Sequence, residues 1–239
     1  MFSHLKAITP QLKTIFAQAY LNISPLTQRA QAHHVDRLQQ DAFFQLTFNP
    51  PDTPIGDQFL FVYARAAQDC PPAQVLHLCF VDRVAFALQT QHKDRFVADV
   101  TQAADQHLPL LFQRSPEAWD THPRNYREIE QVATQVGEHL LNQKLDFAWC
   151  HLALQAQQLK GILSRIQGHD LDVLTEIILL LKDSIETRDV GWLAWEDPFL
   201  HARDPDQLKQ ERENSLQETR KRLTLLIPVL QRLAESVEN

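Results

Sequence analysis

Apolar residues recur at helical spacing along most of the chain, and short polar or proline-containing segments separate one apolar stretch from the next. Three pairs, Thr9–Pro10, Ser24–Pro25 and Asp204–Pro205, combine a capping side chain with a following proline, a pattern typical of a helix start. Residues 49–57 contain three prolines and one glycine, so we expect a loop there. The pattern therefore predicts a chain built mainly from helices.

The most informative apolar stretch covers residues 75–88, which are hydrophobic in nearly every direction but include His77, Asp82 and Arg83. A helix that is apolar on all sides is usually buried, and a buried charge must be paired. Asp82 and Arg83 would lie about 100° apart on a helix. Each is therefore expected to pair with a different segment of the chain.

Glycine usage favours helices over a sheet. The 239 residues contain only 5 glycines, with no glycine-rich phosphate loop and no Asn-Gly or Asp-Gly hairpin turn. Residues 44–48 alternate like a short strand, but no partner strand is evident, so we interpret them as a helix end or extended chain. The predicted fold class is all-α, a mostly antiparallel bundle of about seven to nine helices.

The predicted bundle occupies residues 1–239 as a single domain. Alternatively, two closely packed halves, residues 1–106 and 124–239, are joined by an irregular segment at 107–123, where prolines interrupt the helical pattern. Either arrangement offers enough chain for a substantial core.

Charge and cysteine usage narrow the function classes. A net charge of −7 argues against general nucleic-acid binding, which requires a basic surface. The 3 cysteines have no CxxC spacing, and we expect reduced thiols in a cytoplasmic protein. We see no signal peptide and no run of 18 apolar residues, so no membrane span is expected.

Several polar residues are embedded in apolar segments and form a candidate site for a small anionic ligand. These are Arg65, Asp82, Arg83 and His151, with His77 beside them and with Arg124 and Arg127 joining from the segment that follows residue 123. Guanidinium groups match carboxylate and phosphate geometry, and Asp82 could orient one of them. A structural network of salt bridges between helices explains the same residues, and we favour that interpretation.

Other chemistry finds less support in the sequence. His33 and Asp36 have a spacing that would suit two metal ligands, and the dipeptide His169–Asp170 resembles that of the metal-dependent HD phosphohydrolases. However, Asp170 is better explained as a helix cap. Cys150 and His151 are adjacent, so they cannot form a nucleophile–base pair with each other on a helix. We therefore expect no metal, no cofactor and no catalytic constellation.

Trp192 and Trp195 lie three residues apart, on one face of any helix that contains them. We favour a core position for both, with a partner-docking anchor as the alternative. For the whole chain we expect a non-catalytic helical protein that docks a protein partner or binds a small acidic ligand, as a regulator or assembly factor; a homodimer stays open. The alternative is an enzyme acting on a phosphorylated or carboxylated small molecule held by the arginine cluster.

Overall fold

The computed structural model describes residues 1–106 and 108–236, which form thirteen α-helices, two short 3-10 turns and six strands. The helices are α1 (Phe2–Ile15), α2 (Pro25–Ala30), α3 (Ala32–Gln39), α4 (Ile55–Asp69), α5 (Val81–Gln89), α6 (Lys93–Gln102), α7 (Pro116–Thr121), α8 (Arg124–Leu141), α9 (Ala156–Leu163), α10 (Asp172–Leu181), α11 (Asp197–Leu200), α12 (Pro205–Glu213) and α13 (Leu216–Glu235). The strands are β1 (Ala19–Ile23), β2 (Phe44–Phe48), β3 (Val75–Cys79), β4 (Leu110–Arg114), β5 (His151–Gln155) and β6 (Glu186–Val190).

The predicted all-α bundle is wrong, because the strands form two sheets. Strands β1 and β2 pair in parallel as a small sheet near the N-terminus. The other four strands form a sheet of order β3-β5-β4-β6, in which β5 is antiparallel to both of its neighbours and β4 is parallel to β6. Strands β3, β4 and β6 therefore run in one direction, and only β5 runs in the other.

Burial on both faces explains why the central strands resemble helix in the sequence. Residues 75–88, expected to form one buried helix, form strand β3 and then helix α5. Residues 146–163 likewise form a loop, strand β5 and then helix α9. A five-residue strand covered on both faces shows no alternation of apolar and polar residues, so its pattern matches that of a buried helix.

The connections between strands account for the missing hairpin signal. Helices α5 and α6 join β3 to β4, helices α7 and α8 join β4 to β5, and helices α9 and α10 join β5 to β6. Since every connection within the four-stranded sheet contains helices, no tight Asn-Gly or Asp-Gly turn is required. The segment 107–123, expected to be irregular, includes strand β4 and helix α7.

The structure confirms some of the predicted helix starts and corrects other local predictions. Ser24 caps α2 by accepting a hydrogen bond from the Thr27 amide at 3.1 Å, and Asp204 caps α12 in the same way. The predicted helix start at Thr9–Pro10 is wrong, since α1 continues through both residues. Residues 44–48, expected to be a helix end or extended chain, are strand β2, and their partner is strand β1.

Alternate residues of the four-stranded sheet face two separate hydrophobic cores. Leu76, Leu111 and Leu152 belong to the core formed with helices such as α4, α9, α10 and α13. Leu110 and Ala153 belong to the other core, formed with α1, α5 and α6. The sheet is thus a middle layer with helices on both faces. Within the described residues, no helix combines the length and apolar character needed to cross a membrane.

Candidate ligand-binding cleft

The directions of the strands bring several charged residues to one edge of the sheet. Asp82 and Arg83 follow the end of β3, Arg114 is the last residue of β4, and Glu196 lies shortly after the end of β6. Cys150 immediately precedes β5, whose first residue lies at the same edge because β5 is antiparallel. In open sheets that are mostly parallel, ligands bind outside the carboxyl ends of the strands.

A cleft of about 220 Å³ lies at this edge. Helix α8 contributes Glu130 and helix α13 contributes Arg222, so both charge signs face the cleft. The lining also includes the apolar residues Phe80, Phe147, Leu171, Leu174, Leu225, Leu226 and Val229. Drug-sized ligands occupy pockets of roughly 300–1,000 Å³. This cleft therefore suits a smaller molecule that has both charged and apolar groups.

Arg114 forms the inner wall of the cleft, and protein groups engage all three of its nitrogens. Its Nε and Nη2 donate to the two Asp146 carboxylate oxygens at 2.8 and 2.7 Å, and its Nη1 donates to Glu130 Oε2 at 2.5 Å. The guanidinium lies 3.5 Å from the centre of the Trp119 ring, and the side chain is only 2 % exposed. Burial acts to lower the pKa of Arg114, but Asp146 and Glu130 raise it above its usual range.

Arg83 is also nearly buried but keeps donors to spare. Its side chain is 12 % exposed, its Nη1 donates to the Ala194 carbonyl at 2.9 Å, and the same nitrogen forms an ion pair with Glu196 Oε2. Within residues 1–106 and 108–236, its Nε and Nη2 form no hydrogen bond. Burial acts to lower the pKa of Arg83, whereas nearby groups, Glu196 foremost, raise it.

Glu196 is the acidic partner of Arg83, and its side chain is 9 % exposed. Burial raises the pKa of this carboxyl from its ordinary value of 4.5 to about 7, with Arg83 opposing the shift and Asp82 adding to it. A carboxyl group with this pKa exchanges a proton near neutral pH. The charge of Glu196 can therefore change near neutral pH.

Arg222 and Asp82 have unused polar atoms as well. Arg222 donates from Nη1 to Glu130 Oε1 at 2.7 Å and stacks on the Tyr126 ring at 4.0 Å, but its Nε and Nη2 find no partner in the described part of the chain. Asp82 accepts from the Arg83 amide through Oδ1 at 2.8 Å, and its Oδ2 has no partner among the described residues.

The structure separates the ligand-binding residues expected from sequence. Asp82 and Arg83 line the cleft. Arg65, Arg124 and Arg127 do not line it. Each of the latter three forms an ion pair elsewhere: Arg65 with Asp69, Arg124 with Glu128 and Arg127 with Asp120. Arg127 borders a wider groove of about 570 Å³ that also includes Arg114 and Trp119.

His151 lies inside the sheet and not at the cleft. Its Nε2 is 3.1 Å from the Nδ1 of His77, and its ring packs against Phe96, Phe112 and Trp192. Burial lowers the pKa of His77 to about 4 and lowers that of His151 well below its usual value. The two imidazoles are therefore a neutral pair in the hydrophobic core at physiological pH.

Trp192 and Trp195 are 1 % and 6 % exposed, respectively. The Trp192 Nε1 donates to Asp99 Oδ2 at 3.0 Å, which satisfies the indole within the core. Neither ring is at the surface in this structure, and a docking role for these residues stays a prediction. No group of three or more residues suited to hold a metal ion occurs within the described residues.

Sequence reasoning missed Arg114, Glu130, Glu196 and Arg222. A signal existed for Glu130, because helix α8 buries the stripe that contains Tyr126, Glu130 and Gly137, at spacings of four and seven residues. Val132 and Val136 of the same helix are exposed in the structure. Gly137 explains the choice of face, since a side chain there would collide with the Phe147 ring.

Comparisons with protein-family models, with curated proteins and with solved structures find no match. The geometry and charge of the cleft are therefore the basis for assigning a function.

Proposed function

We propose that this protein binds a small organic molecule with a carboxylate group in the cleft at the carboxyl edge of the sheet. Arg83 and Arg222 carry the proposal, because both line the cleft and each has two nitrogens that form no hydrogen bond within the described residues. These nitrogens are accessible to solvent, so a ligand carboxylate can reach them and form charge-assisted hydrogen bonds in a partly enclosed site. Planar guanidinium groups bind carboxylates through paired hydrogen bonds.

The apolar lining residues limit what the remainder of the ligand can be. Leu225, Leu226 and Val229 of α13 face the cleft together with Phe147. A ligand hydroxyl against these residues would lack a hydrogen-bond partner, which costs about 1–3 kcal/mol. A hydrocarbon group in the same place is removed from water and stabilises the complex by about 25 cal/mol per Å². The ligand supported best is thus a small carboxylate with an apolar body.

A thermal-unfolding experiment tests this proposal with 3-phenylpropanoate as the apolar carboxylate and inorganic phosphate as the anion without an apolar body. A ligand that binds only the native state at a hundred times its Kd stabilises by about 2.7 kcal/mol. We expect 3-phenylpropanoate to raise the Tm of the wild type, with a smaller shift from phosphate.

Two variants make the result specific to the cleft. Arg222→Gln should lose most of the shift caused by 3-phenylpropanoate. Arg124→Gln should retain it, because the Arg124 side chain is exposed, pairs with Glu128 and does not line the cleft. An equal shift in the wild type and Arg222→Gln, or no shift in the wild type, would contradict the proposal.

An enzyme acting on a carboxylated molecule is the second candidate, and Glu196 is the observation that favours it. A group with a pKa of about 7 can serve as a general acid or base, and Glu196 lines the cleft beside Arg83. Proton NMR spectra of 3-phenylpropanoate and related carboxylates, recorded over hours with wild type and Glu196→Gln, test this candidate. Chemical change with the wild type alone favours an enzyme, whereas unchanged spectra favour a binding protein.

A further inference from the structure

The charged groups at the cleft have no surplus of positive charge. The lining includes three arginines, Arg83, Arg114 and Arg222, and three carboxyl groups, Asp82, Glu130 and Glu196. Arg114 also pairs with Asp146 outside the lining, so the formal charge of the site is −1 with Glu196 ionised and zero with Glu196 protonated. A site for a phosphate dianion normally gathers a surplus of positive charge. Because this cleft has none, a ligand with only negative charge would leave an uncompensated charge in a partly enclosed space.

Asp82 is the group best placed to receive a positive charge from the ligand. Glu130 already accepts from Arg114 and Arg222, and Glu196 already pairs with Arg83. The Oδ2 atom of Asp82, in contrast, has no partner within the described residues. Asp82 also directly precedes Arg83 at the start of α5, so an acceptor for a cation and a donor for an anion enter the cleft from neighbouring positions.

We propose that the ligand is a free α-amino acid with an apolar side chain. Its carboxylate would bind the unused donors of Arg83 and Arg222, its ammonium group would bind Asp82, and its side chain would lie against Leu225, Leu226 and Val229. This inference rests on the proposed carboxylate site and adds the amine as a second recognition element.

The cleft fits other small metabolites less well. A dicarboxylate would place its second negative charge near Asp82 or Glu130, and like charges at short range repel. A sugar phosphate would bring two negative charges to a lining without surplus positive charge and hydroxyl groups to apolar lining residues. An amino acid with an apolar side chain is neutral overall and combines both charge signs with an apolar group, as the lining of the cleft does.

Isothermal titration calorimetry with three related probes tests the inference on the wild-type protein. L-phenylalanine has both charged groups, 3-phenylpropanoate lacks the amine, and 2-phenylethylamine lacks the carboxylate. We expect L-phenylalanine to bind at least tenfold more tightly than either analogue. Equal affinities of L-phenylalanine and 3-phenylpropanoate would overturn the amino-acid inference but leave the carboxylate site intact. If neither L-phenylalanine nor 3-phenylpropanoate bound, the inference and the proposed function would both be overturned.

Two aspartate variants locate the amine. Asp82→Asn should abolish the preference for L-phenylalanine over 3-phenylpropanoate, so that the two probes bind with similar affinity. Asp94→Asn is the matched control, since Asp94 is exposed in the first turn of α6, as Asp82 lies in the first turn of α5. If Asp82→Asn kept the full preference for the amine, Asp82 would not be the recognition group and the inference would fall. The comparison of probes on the wild type does not depend on how well either variant folds.

Discussion

Arginine has opposite roles at the inner wall of the cleft, formed by Arg114, and at its mouth, where Arg222 lies. At the inner wall, the Arg114 side chain is 2 % exposed. Its three nitrogens donate to carboxylates, and its guanidinium lies against the Trp119 ring. At the mouth, Arg222 is 32 % exposed and uses only one nitrogen. Arg83 lies between these extremes, because it is nearly as buried as Arg114 but has two unused nitrogens.

This difference distinguishes a structural arginine from a ligand-binding one. Burial alone does not separate them, since Arg83 and Arg114 are both buried charges that need a partner. The number of donors left unused by the protein does separate them, because only unused donors can gain a hydrogen bond when a ligand enters. The stability of the fold should therefore depend most on Arg114, and ligand affinity should depend most on Arg83 and Arg222.

The largest effect on stability is expected from Arg114→Leu. This change leaves Asp146 buried without its ion-pair partner and removes one of the two partners of Glu130, so the free energy of unfolding should fall by about 3–5 kcal/mol. Urea denaturation followed by tryptophan fluorescence measures this loss. A loss below about 1 kcal/mol, the size typical of an exposed ion pair, would show that Arg114 is not a structural arginine.

The next effect concerns Glu196 and its dependence on pH. Because the pKa of Glu196 is raised from 4.5 to about 7 in the folded protein, the native state binds more protons than the unfolded state between these pH values. The contribution of Glu196 to stability therefore falls as pH rises through this window, by roughly 3 kcal/mol in total.

The variant Glu196→Gln isolates this contribution, since glutamine does not titrate. Wild type and variant should have similar stability near pH 4.5, and the wild type should lose stability relative to the variant as pH rises to 8. Urea denaturation of both proteins at several pH values provides the comparison. A relative stability that stays constant or rises with pH would mean that the Arg83 ion pair outweighs the burial of the carboxyl.

A smaller effect on stability is expected from Arg222→Gln, despite its large effect on binding. Glu130 keeps its bond to Arg114 in this variant, so the free energy of unfolding should change by less than about 1 kcal/mol. The affinity for 3-phenylpropanoate should nevertheless drop at least tenfold in calorimetric titration. If the variant lost much stability but kept its affinity for 3-phenylpropanoate, Arg222 would be a structural arginine like Arg114.

The smallest effects are expected from Arg65→Gln and Arg124→Gln. Both arginines form exposed ion pairs with a residue four positions later on the same helix, and such pairs contribute about 0.3–0.5 kcal/mol. Neither variant should alter carboxylate binding, although the sequence places both residues among the candidate ligand contacts. A loss of binding in either would show that the site extends beyond the cleft.

The local features that could be predicted from sequence are those determined by neighbouring residues. Ser24 and Asp204 start helices as expected, since a cap depends on hydrogen bonds within one turn. The partner in a distant segment that was expected for Asp82 is not found among the described residues, since Asp82 accepts only from the adjacent Arg83 amide. The same expectation for Arg83 is confirmed by its ion pair with Glu196. A buried guanidinium requires an acidic partner in any fold, so the prediction for Arg83 did not depend on the fold class.

The sheet could not be predicted because its signals are not local. Strands β3 and β5 are covered on both faces, and their pairing joins residues more than seventy positions apart. The partners in the cleft are equally distant, as Arg222 meets Glu130 from another helix. The direction of the strands brings these residues together, and the apolar pattern of each segment contains no record of that direction.

The contrast between the two kinds of arginine can be measured directly in one NMR titration. Nitrogen-15 spectra of the arginine Nε–H groups would be recorded while 3-phenylpropanoate is added to the wild type, with signals assigned from single arginine variants. The Nε–H signals of Arg83 and Arg222 should shift and reach saturation, whereas the signal of Arg114 should stay in place because its Nε already donates to Asp146. Unchanged signals from Arg83 and Arg222 at saturating probe, or an equal shift at Arg114, would contradict the assignment of the cleft as a carboxylate site.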